Sequence, residues 1–465
     1  MKSKILSSQK LSSRIQSDNV QRSEQVFGYF LGPCLTYMMY QGVAGTYLTQ
    51  FYTDVLGFAG GFLTMMPLLS KLISSIASLL IGRIIDKTRT VQGKARPWIL
   101  CSGILLCACG IALYAVPKAS YSIQIAWIVI SYNLFFSLAF SMYSLSHSLM
   151  VPLSTRDTKQ RDSLAMLTST GTAMIPGMLT TIVMPLLVKN IGVGPDARGS
   201  WLTVMGILSA VAIPATLMEY YFTRERVTEQ VQSDHTEVSF GKQLAVCFKD
   251  RYWIIVMLFT LVIHLCNSVS SSSMLYFCNW VLGDSIASGA TKQILVNMIG
   301  QFPLGIGVVI LWPLVRKFGK RTVTIVGFSI AAVGSGLVLL AENNMIGVLG
   351  GLLIKSTGAL PTYVMAALLA EALDHVEASG GFRADGFSAS LNSIIQTVVI
   401  GLGQTVLLAG IHSFGYIVPE SAVQVISQPE PLQMFLRICF AGIPLLGYIA
   451  CVIFMLQYKL SDSKN

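Results

Sequence analysis

Apolar residues fill this chain in long blocks rather than in narrow amphipathic stripes. The blocks fall at 27–51, 59–85, 97–117, 121–150, 164–189, 200–222, 253–282, 293–315, 322–341, 345–370, 386–416 and 432–457. A helix needs about 20 predominantly apolar residues to cross the hydrocarbon core of a bilayer, so each block is long enough for one span. Short segments of alternating polarity, the mark of a membrane barrel, are absent from the sequence. The pattern therefore predicts an all-α integral membrane protein with about twelve transmembrane helices.

Composition agrees. Of 465 residues, 53% are hydrophobic and only 12% are charged, whereas soluble domains carry about 25% charged residues. Residues 1–26 are polar and lack an apolar core segment, so they are expected to form a tail rather than a cleavable signal peptide. The 9 cysteines are scattered, mostly inside the blocks, with Cys107 and Cys109 the nearest neighbours. That spacing fits neither a metal site nor a disulfide framework. No metal and no cofactor is expected.

The net charge of +10 gains meaning only from its placement. Most of the 32 Lys and Arg fall in alternate connections and in the two tails, while the opposite connections hold only Lys118, Lys189, Arg198 and Lys292. Such asymmetry is the positive-inside rule and places both termini in the cytoplasm. The basic balance thus reports topology in a plasma (cytoplasmic) membrane, with the lipid bilayer as surroundings and no nucleic acid as partner.

A polar stretch at 223–252 separates six blocks from six. The expected organisation is a tail at 1–26, a six-helix bundle at 27–222, a cytoplasmic linker at 223–252, a second bundle at 253–457 and a tail at 458–465. A basic turn recurs at matching positions, GRIIDKTRTVQGKARPW after the second block and PLVRKFGKRTVTIV after the eighth. Two six-helix repeats of this kind define the major-facilitator architecture, with a solute site near the midplane between the halves.

That architecture directs attention to charges at the cytoplasmic ends and to polar groups within spans. The gating candidates are Arg83, Asp86, Arg89 and Arg96 after span two, Asp157 and Arg161 after span four, and Asp374, Glu377, Arg383 and Asp385 after span ten. Acidic and basic turns are expected to pair across the halves. Lys71 and Lys355 lie inside spans, where an ionisable group costs about 2.5–3.5 kcal/mol on insertion scales and is a functional candidate by default. Snorkelling to an interface is the competing role. Tyr37, Tyr40 and Gln41 in span one, Ser144 and His147 in span four, His264 and Asn267 in span seven, and Asn392, Gln396 and Thr397 in span eleven complete the solute candidates. Tyr143, Ser144, His147 and Ser148 are spaced to share one helical face. Rings stack on sugar faces and polar groups fix hydroxyls, although such residues also glue helices together.

The stretches FGYFLGP (27–33), FYTDVLG (51–57), IGRIIDKTR and GKARPWIL (81–100), TRDTKQRDSL (155–164), YFCNWVLGD (276–284), PLVRKFGKR (313–321) and LDHVEASGGFRADGFSASLNSIIQT (373–397) span nearly the whole chain. Together they resemble the glycoside–pentoside–hexuronide:cation symporter family, the melibiose-carrier-like group. The resemblance implies a secondary transporter of sugars or glycosides. It also implies a sodium site built on two span-two carboxylates, which fall here on Ser74 and Ser78, with a span-four hydroxyl at Ser141. The family's sugar-contacting acid in span four falls on Ser144, while Gln396 and Thr397 match sugar-site positions. With Lys71 kept and the acids absent, sodium coupling through span two is expected to be lost, leaving proton coupling or none. An anionic sugar is one expected solute. Lysolipid or amino-acid-like solutes, or a non-transporting sensor, are the alternatives. No nucleophile–base set or phosphate loop points to an enzyme, and the working unit is expected to be a monomer.

Overall fold

A computed structural model describes residues 19–460 apart from 40–46, 59–60, 91, 156, 170, 173–174, 192–194, 227–239 and 381–384. Among the described residues every regular element is helical. The long helices are α1 (Glu24–Leu31 running into Gly32–Met39), α2 (Gly61–Lys87), α3 (Arg96–Tyr114), α4 (Tyr121–Ser154), α5 (Ile175–Ile191), α6 (Arg198–Phe222), α7 (Arg251–Leu282), α8 (Ile286–Phe318), α9 (Lys320–Leu340), α10 (Met345–Ala378), α11 (Asp385–Ser413) and α12 (Glu430–Gln457). Within the described residues, 9 helices are long and apolar enough to cross a membrane. The others, α1, α5 and α8, coincide with apolar blocks of the sequence.

Local chemistry starts and stops these helices. Asp250 caps α7 by accepting the Trp253 backbone N–H at 2.9 Å, and Asn344 caps α10 by accepting those of Ile346 and Gly347. Ser285 and Ser288 form a reciprocal capping box at α8, satisfying donors that the first turn leaves open. Next to it, the Ser288 hydroxyl donates to Asp284 and holds that exposed carboxyl below the usual carboxylate range. Gly319, at φ 78°, turns the chain between α8 and α9, a conformation that side-chain-bearing residues resist.

The chain divides into two compact units, 1–58 with 69–232, and 59–68 with 233–465. In the first, α6 packs against α1 and α3. A Cβ at Gly32 would lie 2.9 Å from the Glu219 Cβ, so α1 and α6 approach closely, as small residues permit in membranes. Phe51, Tyr114 and Trp201 form its aromatic core, with centroids 4.7–5.9 Å apart. In the second unit, Phe259, Phe328, Tyr448 and Met455 lie at the centre of the core. Trp253 donates its indole N–H to Ser388 at 2.8 Å there.

One end of the first unit is tied by residues just beyond α6. Glu225 accepts the backbone N–H groups of Lys94, Ala95 and Arg96 at 2.9, 2.8 and 2.8 Å. Arg226 pairs with buried Glu24 through two hydrogen bonds of 2.9 and 2.7 Å. The start of the expected linker is therefore part of the bundle's packing.

Candidate functional site

The first unit carries two polar groups of residues inside its apolar helices. One joins α2 to α4. Ser74 lies 2.7 Å from Ser137, hydroxyl to hydroxyl, and also donates to the Ser70 carbonyl at 2.8 Å. Ser78 donates to the Ser74 carbonyl at 2.8 Å. Ser141 does not join them. It donates to the Phe136 carbonyl, five residues back, at 3.1 Å. The helix widens into π turns over Leu134–Phe140, and in this register Ser137 meets α2 instead. Ser137, not Ser141, is thus the α4 hydroxyl bonded to Ser74.

Lys71 is buried beside this ladder, 7% exposed. Its ammonium stands 4.6 Å from the Phe136 ring centroid, a cation–π contact worth about 0.5–2 kcal/mol depending on desolvation. Among the described residues no carboxylate pairs with it, and no group of acidic, His or Cys side chains could hold a metal ion.

The second group joins α1, α4 and α6. His147 Nδ1 lies 2.7 Å from Glu219 Oε1, and the Tyr143 hydroxyl donates to Glu219 Oε2 at 2.5 Å. The Tyr37 hydroxyl donates to Ser144 at 3.3 Å. Its ring lies 5.7 Å from that of Tyr143 and 6.0 Å from that of His147. Three members of the expected α4 face thus converge. Ser148 does not; it is exposed and donates to the Leu145 carbonyl. Glu219 is absent from the candidates raised above. The signal was an ionisable residue inside the apolar block 200–222, the same criterion that marks Lys71.

In the second unit, Lys355 donates to the Ser270 hydroxyl at 3.3 Å and the Phe440 carbonyl at 3.4 Å. These contacts bridge α10, α7 and α12 and argue against snorkelling. His264 is half-buried with no hydrogen-bond partner for its Nε2, and Asn267 is exposed on the next turn. The Gln396 side-chain amide donates to Asn392 at 3.4 Å on one face of α11, with half-buried Thr397 adjacent.

The turn residues divide. Arg83, Arg89, Asp157, Arg161, Asp374 and Glu377 are exposed. Arg96 is not: it is 2% exposed, donates to the Tyr220 carbonyl at 2.8 Å and stacks 4.1 Å from the Tyr220 ring centroid. It anchors the α2–α3 turn onto α6 of its own unit. Glu371 pairs with Lys320 at 2.5 Å, likewise inside its own unit. Tyr40, Gln41 and Arg383 lie outside the described residues, as do the side chains of Asp86 in α2 and Asp385 at the start of α11.

Apolar helices in two compact units, with polar groups buried inside them, define a multi-pass secondary transporter of the major-facilitator type rather than an enzyme. The chain belongs to the MFS/sugar transport protein family, whose model matches residues 28–462. It is 24% identical over 428 residues to the isoprimeverose transporter of Lactiplantibacillus pentosus, covering 90% of this chain and 85% of that one. It is also 24% identical over 457 residues to a glucuronide carrier protein homologue of Escherichia coli (strain K12), covering 94% and 93%. A crystal structure of a bacterial homologue of the human lysosomal transporter Spinster shares the fold, with TM-score 0.64 at 13% identity over 95% of this chain and 96% of that one.

Proposed function

We propose that this carrier moves a sugar, glycoside or sugar acid by alternating access without binding sodium on α2. The observation that carries the reading is the serine ladder. Ser74 and Ser78 spend their hydroxyls on Ser137 and on backbone carbonyls, and Lys71 stands beside them as a cation. A hard cation held without a carboxylate is held weakly, and a neighbouring ammonium repels it further. The same ammonium suits an anionic solute such as a uronide, in keeping with the glucuronide carrier protein homologue among its relatives. Both termini lie on the cytoplasmic face in this reading, following the basic turns, and a single chain is the transporting unit.

The test is uptake of isoprimeverose and a methyl glucuronide into proteoliposomes, with and without a sodium gradient. Uptake indifferent to sodium is expected. Uptake that collapses when sodium is withdrawn refutes the proposal.

A further inference from the structure

Among the described residues the first unit buries three carboxylates, Glu24, Asp54 and Glu219; Asp54 accepts from Thr53 near the end of its helix, and the other two differ in how they are neutralised. Glu24 has a guanidinium, Arg226, which keeps its charge at any physiological pH. Glu219 has no Lys or Arg partner among the described residues; its partners are Tyr143 and His147. Among the described residues the other groups facing it are uncharged, and the nearby Arg226 is committed to Glu24. From α1 come Thr36, bonded to Thr216, then Tyr37 and, beside the Glu24–Arg226 pair, Tyr29. From α3 comes Gly103, packed on Thr216. On α6 itself, Tyr220 turns away to Gln92 and Arg96. A buried carboxylate facing a titratable imidazole can change charge by binding or losing a single proton. His147 is 2% exposed, and its other ring nitrogen, Nε2, has no hydrogen-bond partner.

We propose that Glu219 and His147 together form the proton-binding site of this carrier, linked to the solute through Tyr37 and the unpartnered Nε2 of His147. This rests on the sugar-carrier reading above. Without the coupled proton the pair is a carboxylate and a neutral imidazole, with Nδ1–H donating to Glu219. One proton added at Nε2 gives carboxylate and imidazolium, and the new N–H donates to a solute hydroxyl oxygen. Solute binding then favours proton binding, and proton binding favours solute binding by the same factor. Loss of that proton on the other side of the membrane turns Nε2 from donor to acceptor, removes the charge-assisted bond and weakens solute binding. Tyr143 holds the second carboxylate oxygen, and Tyr37 touches both the His147 ring and Ser144.

The test uses the full chain with isoprimeverose and a methyl glucuronide as probes. In proteoliposomes an acid-outside gradient should drive accumulation of about tenfold per pH unit for one coupled proton. Glu219→Gln should abolish the gradient's effect on whatever flux remains; a gradient effect that survives overturns the proposal. A second measurement needs no variant. Titration calorimetry of the unaltered protein in buffers of different ionisation enthalpy, run across about pH 5–8, should find about one proton taken up per bound sugar. Zero uptake throughout that range overturns the proposal. Probe flux indifferent to the gradient overturns this inference and leaves the sugar-carrier reading standing. Absence of binding and flux for both probes removes that reading and this inference with it.

Discussion

Removing the Glu225 side chain should loosen one end of the first unit by an amount that depends on what stands at Gly93. The carboxylate accepts three successive backbone N–H groups at the start of α3, donors that the helix cannot satisfy by itself. Glu225 is only half-buried, so water recovers part of the loss in Glu225→Ala. Capping and charge-assisted bonds of this kind put the cost at about 2–4 kcal/mol. Gly93 adopts φ 111°, and a Cβ there would overlap the Glu225 carboxylate. Gly93→Ala therefore carries two costs, about 1–2 kcal/mol for the backbone and, separately, most of the lost cap. In the Glu225→Ala background only the backbone cost remains. The double-mutant cycle should return a coupling energy on the order of 2 kcal/mol. Unfolding is read in detergent by a thiol-reactive dye that reports exposure of buried Cys107 and Cys109. Strictly additive costs would refute the idea that Glu225 occupies the space Gly93 leaves open.

Lys71→Met should keep the stem packed on Phe136 while removing a buried cation with no carboxylate partner among the described residues. Dye-monitored thermal stability should hold or rise, whereas uptake should be lost; normal uptake would return Lys71 to a packing role. Gly103→Ala would push a Cβ into the Thr216 side chain and destabilise the α3–α6 contact by about 1–3 kcal/mol. Thr216→Ala in the same chain should restore most of it, and failure to restore would place the strain elsewhere.

The helix order was legible because burial in lipid imposes length and apolarity on every span, and both are linear properties of a sequence. Side-chain register was not. The α4 face of Tyr143, Ser144 and His147 follows from helical spacing, but the hydroxyl bonded to Ser74 is Ser137, within the π-helical stretch Leu134–Phe140 that an α-helical count does not anticipate. The role of Arg96 was hidden for a related reason. A basic residue in a charged turn reads as solvent-facing, yet its guanidinium lies on Tyr220, far away in sequence. The linker likewise reads as a tether from composition, while Glu225 and Arg226 prove to be packed against α1 and α3.

Glu219 exposes a deeper limit of sequence reading. Glu24 and Glu219 are the same residue type, both fully buried and both near a helix end. Their chemistry differs only through their partners. An arginine partner fixes the charge of the pair and makes Glu24 a staple between α1 and the segment after α6. A histidine partner brings no fixed charge to Glu219, and the proposed proton site rests on that difference. Nothing local to either glutamate encodes that difference, because the deciding residues lie 202 and 72 positions away. A carrier with serines at the expected carboxylate positions of α2 can therefore still bury an acid elsewhere, on a helix where its significance depends on what α4 presents to it.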